Sequence, residues 1–137
     1  MTVRFIDTNI LLYAISRDRA ERAKAQVANE LLSQRDLALS VQVLQEFYVQ
    51  ATRASRNDAL THRQASELIH SFTRFAIQET NLALVQAALA AKDRFQISYW
   101  DAAIVESARM LNCTELLSED LNPDQDYAGI LVTNPFI

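Results

Sequence analysis

The sequence predicts an α/β protein in which a mostly parallel sheet carries helices on both faces, forming a three-layer sandwich. One observation indicates this class, and a second indicates that it forms a single domain. Short apolar segments alternate with longer segments of helical periodicity, which is the pattern of strands buried on both sides by crossover helices. The lone glycine, Gly129, and both prolines, Pro123 and Pro135, lie in the final segment. No linker signal precedes them, so residues 1–137 are expected to form a single domain.

The predicted elements follow in order along the chain. Five short apolar segments are typical of strands: residues 3–6, 37–39, 75–77, 115–118 and 130–133. Between them, six segments have helical periodicity: residues 9–15, 19–33, 41–54, 61–72, 82–93 and 99–111. Ser40 is expected to cap the third helix and Thr61 to begin the fourth, because their hydroxyls accept hydrogen bonds from free backbone N–H groups.

Composition limits the class of protein. Half of the 137 residues are hydrophobic, and no apolar run approaches the length of about 20 residues that a membrane helix needs. Asp7 and Asn9 interrupt the first apolar stretch, so a signal peptide is not expected. Cys113 is the lone cysteine, which favours a reducing compartment. The sequence therefore predicts a soluble, cytoplasmic protein.

The charge distribution is uneven. The net charge of −4 argues against bulk attraction to nucleic acid. Residues 1–63 nevertheless carry nine Lys or Arg against seven Asp or Glu, whereas residues 64–137 carry four against ten. A basic stretch in the first part is broken only by Asp58 and consists of Arg53, Arg56, His62 and Arg63. This stretch is compatible with phosphate contact and equally with a solvated helix end.

Four acidic residues border apolar segments that are expected to enter the core. Asp7 follows the first strand within VRFIDTNILLYAI, and Glu46 lies on a helix within SVQVLQEFYVQA. Asp101 lies on the apolar side of a helix within SYWDAAIVESARML, and Asp120 follows a strand within LLSEDLNPDQDY. Asp7, Asp101 and Asp120 are expected at strand-to-helix junctions, where the carboxyl edge of a parallel sheet collects functional residues.

Each acid also has a purely structural interpretation. Asp7 is a favourable helix cap, and Ser98 followed by Asp101 matches a capping box. Glu46 fits a solvated helix boundary, and Asp120 fits an acidic turn. Considered one at a time, these interpretations compete well with a functional one.

Together, the four acids favour a metal site. Converging carboxylates repel one another unless a cation lies between them. Oxygen ligands without a His or Cys cluster favour Mg²⁺ or Mn²⁺, and two such ions can promote hydrolysis of a phosphodiester. The pattern therefore indicates nuclease chemistry.

Other catalytic groups are poorly supported. The sequence contains no G-x-S-x-G elbow, no glycine-rich phosphate loop and no H-E-x-x-H zinc motif. His62 and His70 are expected on the surface, and Cys113 is expected to be a small packing residue.

The acidic blocks occur in the order found in a known family. The chain resembles a PIN-domain ribonuclease, most closely the VapC-type toxins of type II bacterial toxin–antitoxin pairs, through FIDTNILLYA, Glu46, YWDAAIVESA, LLSEDL and DYAGILVTNPF. The resemblance runs nearly end to end and implies a PIN-like domain over residues 1–137. It implies that the catalytic, metal-binding acids are Asp7, Glu46, Asp101 and Asp120, with Glu119 as an alternative to Asp120.

The same resemblance implies a cofactor and partners. It implies an endoribonuclease that depends on Mg²⁺ or Mn²⁺, acts on single-stranded or structured RNA, forms a homodimer and is held inactive by a cognate antitoxin protein. Thr8, Asn9 and Ser118 match polar positions that support the site in such proteins.

Two other functions are compatible with the residues. A phosphatase of the haloacid-dehalogenase type would use Asp7 as a nucleophile, although Asn9 and Leu11 depart from the motif of that group. A non-catalytic interaction module would bind a partner through two apolar helical stripes, namely Leu44, Phe47, Tyr48 and Leu68, Ile69, Phe72. Stripes at this spacing are more often core than interface.

Overall fold

The computed structural model describes residues 3–137, which contain five strands, six α-helices and one short 3-10 turn. The strands are β1 (Arg4–Ile6), β2 (Leu37–Ser40), β3 (Ala76–Gln78), β4 (Glu115–Leu117) and β5 (Leu131–Thr133). The helices are α1 (Thr8–Ala14), α2 (Arg22–Leu32), α3 (Val41–Ala51), α4 (His62–Phe72), α5 (Leu82–Phe95) and α6 (Tyr99–Met110). The 3-10 turn, Arg19–Glu21, directly precedes α2. The predicted strands and helices are therefore confirmed, with small shifts at their ends.

All five strands form one parallel sheet in the order β3-β2-β1-β4-β5. Strand β1 is central because Arg4 pairs with Leu37 of β2 on one side and with Glu115 of β4 on the other. All four residues of β2 are buried although successive side chains point to opposite faces, so the sheet is covered on both sides. The carboxyl ends of β1 and β4 lie next to each other, which brings Asp7 close to Ser118.

Two of the predicted helix starts are set by hydroxyl caps. The Oγ of Ser40 accepts the N–H of Val43 at 3.3 Å, directly after β2. Thr61 forms a reciprocal capping box with Gln64, in which each side chain binds the backbone N–H of the other residue. These local contacts fix where α3 and α4 begin.

Helix α3 ends at Ala51, three residues before its predicted end at residue 54. The chain folds back here, and the N–H of Leu60 donates to the carbonyl of Ala51 at 2.8 Å. Within the loop, the Nε of Arg56 lies 2.9 Å from a carboxylate oxygen of Asp58. Arg56 also contacts the carbonyl of Leu12 at 3.4 Å, so this part of the basic stretch holds the loop against α1.

The core lies between the sheet and the helices. Phe47 of α3 and Phe72 of α4 are buried and pack edge to face, with ring centroids 5.3 Å apart. Three other members of the predicted stripes, Leu44, Leu68 and Ile69, pack against this core, whereas the hydroxyl of Tyr48 lies 2.9 Å from the Nδ1 of exposed His62. Cys113 is buried and both histidines are exposed, as predicted. Within residues 3–137, every helix is too short or too polar to cross a bilayer.

Candidate active site

Asp7 lies directly after the central strand and is partly buried. One carboxylate oxygen accepts the N–H of Thr8 at 2.7 Å, so the residue caps α1. The other accepts the hydroxyl of Ser118 at 2.9 Å, and the backbone N–H of Asp7 donates to the carbonyl of Leu117 at 3.1 Å. The capping interpretation of Asp7 is therefore confirmed, and the same side chain also joins the ends of β1 and β4.

The carboxyl group of Asp7 has a strongly perturbed pKa. Burial raises the pKa from 3.8 to about 6, although the hydrogen bonds from Thr8 and Ser118 act in the opposite direction. The negative charges of Asp120 and Glu46 raise the pKa further. Asp120 and Glu46 therefore lie close enough to Asp7 for their charges to act on its carboxyl group.

Glu46 is held by neutral polar groups near the start of α1. One carboxylate oxygen accepts the hydroxyl of Thr8 at 2.9 Å, and the other accepts the amide of Gln42 at 2.7 Å. The same Gln42 nitrogen lies 3.5 Å from the backbone oxygen of Trp100 in α6. Gln42 therefore connects Glu46 to the helix that carries Asp101.

The two neighbouring acids after β4 have different surroundings. Asp120 is exposed and accepts the amide of Asn9 at 2.6 Å. Glu119 accepts the hydroxyl of Tyr13 at 2.7 Å and pairs with the ammonium of Lys24 at 2.8 Å. Burial raises the pKa of Glu119, but the hydrogen bonds from Lys24 and Tyr13 outweigh it and leave the pKa below its ordinary value. Both carboxylate oxygens of Glu119 therefore bind side chains of α1 and α2.

Asp101 lies in the first turn of α6, so the prediction of a strand-to-helix junction is wrong for this residue. Helix α5 precedes it and ends at Phe95, and the left-handed backbone of the next residue, Gln96 (φ 55°), turns the chain toward α6. Ser98 caps that helix by accepting the N–H of Asp101 at 3.1 Å. The charge of Asp101 reaches Tyr127, because burial and this carboxylate together raise the pKa of the phenol.

Asp120 also departs from the predicted junction. It follows β4, as expected, but the chain continues through a loop into β5 without an intervening helix. The hydroxyl oxygen of buried Ser118 shapes the start of this loop by accepting the N–H groups of Asp120 and Leu121 at 3.2 and 3.3 Å. Ser118 thus orients the loop backbone while its own proton is donated to Asp7.

The donor set is compatible with a hard divalent cation, although the ligands are not preassembled. In the part of the chain from residue 3 to residue 137, no three His, Cys, Asp or Glu side chains form a group that could hold a metal ion as they stand. The acids instead bind neutral neighbours, and the mutual repulsion around Asp7 is uncompensated. Oxygen donors with an excess of negative charge are the environment that Mg²⁺ and Mn²⁺ prefer.

Two residues that contribute to this region were given no role in the site from the sequence. Gln42 lies four residues before Glu46 on the same helix, a spacing at which side chains meet, so its contact was detectable in principle. The bond between Lys24 and Glu119 joins residues 95 positions apart, and no local pattern reveals it.

Comparison with known proteins identifies the family. A family model described as the PIN domain matches residues 4–126. No curated protein matches the chain. A toxin–antitoxin complex from Klebsiella pneumoniae is similar in structure, with a TM-score of 0.69, 21% identity, and coverage of 96% of this chain and 97% of that one.

Two other solved structures are similar. VapC20 of Mycobacterium tuberculosis, described as a sarcin–ricin loop cleaving toxin, has a TM-score of 0.63 and 18% identity, covering 85% of this chain and 89% of that one. VapBC2 of Rickettsia felis, bound to a DNA fragment from their promoter, has a TM-score of 0.64 and 17% identity, covering 97% and 98%. At these identities the likeness is one of fold. The family match spans most of the chain, and the protein therefore belongs to the PIN domain family.

Proposed function

We propose that the protein is an endoribonuclease that depends on Mg²⁺ or Mn²⁺ and hydrolyses phosphodiester bonds in single-stranded or structured RNA. One observation carries the proposal. Burial and the charges of Asp120 and Glu46 raise the pKa of Asp7, which marks a group of acids whose repulsion is uncompensated. A divalent cation bound by oxygen ligands relieves this repulsion.

In this proposal, Asp7 and Asp101 are the principal metal ligands, and Glu46 and Asp120 complete the site. When bound, the cation supplies an activated water and stabilises the leaving oxygen of the phosphodiester. The protein contributes the position of each carboxylate. The assignment of Asp101 is supported by Gln42, which donates to Glu46 and lies 3.5 Å from the backbone oxygen of Trp100, the residue before Asp101.

Three neutral side chains orient three of the acids. Each donates one hydrogen bond to one carboxylate: Thr8 to Glu46, Asn9 to Asp120 and Ser118 to Asp7. Such partners fix the direction in which a carboxylate presents its remaining oxygen lone pairs. The pairing of Glu119 with Lys24 supports the choice of Asp120 as a ligand.

The proposed biological role is that of a cytoplasmic toxin. The similar structures from Klebsiella pneumoniae and Rickettsia felis are described as a toxin–antitoxin complex and as VapBC2, respectively, and they support this role. The partners would be a cognate antitoxin protein and a second copy of the chain. A phosphatase using Asp7 as nucleophile is disfavoured, because Asn9 and Leu11 depart from the motif of that group.

We expect the purified protein, free of antitoxin, to cleave mixed-sequence single-stranded RNA with Mg²⁺ or Mn²⁺ and to lose this activity in EDTA. Cleavage is measured on gels as the loss of full-length RNA with time. Restoring activity with excess metal is the control for a direct effect of the chelator. Activity that persists in EDTA would contradict metal dependence, and no cleavage with either ion would overturn the nuclease assignment.

The two acids after β4 should respond differently to loss of charge. Asp120→Asn is expected to slow cleavage by about 10- to 100-fold and to raise the metal concentration needed for half-maximal rate. Glu119→Gln is the matched control. It removes the same charge at the neighbouring position, from a carboxylate that is paired with Lys24. We expect it to change the rate by less than about threefold, as for a partly exposed ion pair. The reverse order would transfer the ligand role to Glu119.

A further inference from the structure

Trp100 is the only tryptophan in the chain and is 64% exposed in the first turn of α6. Its neighbour Tyr99 packs against the small apolar cluster between α5 and α6, and the two rings meet almost at right angles with centroids 5.1 Å apart. Tryptophan side chains are buried to a large extent on average. Neither the cap of α6 nor the packing of Tyr99 requires an indole at this exposed position.

The turn that carries Trp100 flanks the candidate active site. The backbone oxygen of Trp100 lies 3.5 Å from the Gln42 amide nitrogen, which donates to Glu46 at 2.7 Å. Asp101 is the next residue. The indole therefore belongs to a residue that precedes Asp101 and whose backbone oxygen lies near the Gln42 side chain that binds Glu46. Ser98 fixes this turn by accepting the N–H of Asp101.

We propose that Trp100 is a nucleobase-binding site, on which one unpaired base of the RNA stacks while a neighbouring phosphate lies at the carboxylates. The inference rests on the proposed ribonuclease function and makes it more specific. It requires that the substrate have at least one unpaired, unstacked base next to the bond that is cut. Base-paired RNA would satisfy the carboxylate site but leave the indole unused.

The surrounding charge favours a base over a phosphate as the recognised group. The two acids assigned to the site nearest to this turn, Asp101 and Glu46, carry negative charge, and residues 64–137 carry ten acidic against four basic residues. A negatively charged backbone gains little from such a surface. Stacking does not depend on net charge, and it tolerates any sequence because every base presents a π-face. An aromatic platform therefore supplies affinity that the local electrostatics cannot.

The chain segment that carries Trp100 is less suited to a protein partner. The exposed residues that flank it in the chain are polar, namely Gln96 and Ser98, and the next residue after it is the charged Asp101. A protein interface needs a contiguous apolar patch of several hundred square ångströms, on the order of 300–600 Å². A single exposed ring among polar groups matches a stacked base better.

The lone tryptophan allows a test without a label. Asp7→Asn protein, which should bind RNA without cutting it, is titrated with a single-stranded oligoribonucleotide while tryptophan fluorescence is recorded. We expect saturable quenching, and much weaker quenching with an abasic chain of the same length or with a duplex. Binding is followed separately by the anisotropy of end-labelled RNA. Binding without quenching overturns the proposal, and so does the absence of binding.

Substitutions provide the second test. Trp100→Ala is expected to raise KM for single-stranded RNA by about 5- to 150-fold, while Trp100→Phe keeps most of the affinity because it keeps a stacking surface. Leu131→Ala is the control, since Leu131 is exposed at the amino end of β5, on the far side of the sheet from the carboxyl edge. An unchanged KM for Trp100→Ala overturns the proposal.

Two further outcomes separate this inference from the proposed function. If Trp100→Ala alone converts a dimer into monomers in sedimentation experiments, the indole serves a second copy of the chain and the base-binding site is wrong. If wild-type protein shows base-dependent quenching but no cleavage with either metal, the base-binding site stands and the ribonuclease assignment fails.

Discussion

The Asp7→Asn protein is expected to cleave RNA at least about 100-fold more slowly than the wild type and yet to be more stable without metal. The activity falls because the substitution removes one full negative charge from the assigned metal site, and a bound cation contributes several kcal/mol to the reaction. Asparagine has the same shape, and its oxygen can still accept the N–H of Thr8. A variant that cuts RNA at the normal rate would remove Asp7 from the site.

The gain in stability follows from the direction of the pKa shift. Burial and the charges of Asp120 and Glu46 raise the pKa of Asp7 from 3.8 to about 6 in the folded protein. The folded state therefore binds this proton more tightly than the unfolded state, and metal-free protein loses stability as the pH rises from 3.8 to about 6. At pH 7 the loss is on the order of 3 kcal/mol at most, and asparagine avoids it.

Urea unfolding in EDTA at pH 4 and at pH 7 measures this difference. Asp7→Asn should be more stable than the wild type at pH 7 and nearly equal to it at pH 4. Asp36→Asn is the matched control, because the hydrogen bond from Arg4 lowers the pKa of Asp36 and the sign reverses. That variant should be less stable than the wild type at pH 7. An equal change at both pH values for Asp7→Asn would point to altered packing and away from charge.

The elements of the fold are predictable because their causes are local. Ser40 and Thr61 start helices through hydrogen bonds to groups three residues away. The buried run of β2 appears in the sequence as four small or apolar residues. Asp7 is conspicuous for a related reason, since an acid that directly follows an apolar strand stands out from its surroundings. Local composition therefore locates the strand ends and the acids that occupy them.

The arrangement of the site depends on contacts between distant parts of the chain. Asp101 follows the turn between α5 and α6, where Gln96 adopts a left-handed backbone that usually favours glycine. Glu119 and Asp120 are adjacent and have the same local signal. Only the tertiary contact with Lys24, which lies in α2, distinguishes them. Such information is absent from any short window of sequence.

Helix α3 serves the core and the candidate site with consecutive residues. Phe47 is completely buried and packs on Phe72, while Glu46 points to the polar groups at the end of β1. Because the two residues are adjacent on one helix, burial of Phe47 restricts the directions in which Glu46 can point. If the apolar stripe of α3 is core, truncating Phe47 should lower the stability of the protein. If the stripe is the surface of an interaction module, truncating Phe47 should leave the stability unchanged.

Phe47→Ala is expected to lower the free energy of unfolding by about 3–5 kcal/mol, because it leaves a cavity where a whole aromatic ring was buried. Chemical unfolding monitored by circular dichroism measures the loss. Val49→Ala is the matched control, since Val49 lies two residues later on the same helix and is 55% exposed. We expect less than about 0.5 kcal/mol for it. If Phe47→Ala were as stable as the wild type, the stripe would face solvent, the orientation of Glu46 would need another cause, and an interaction module would explain α3 better than a nuclease.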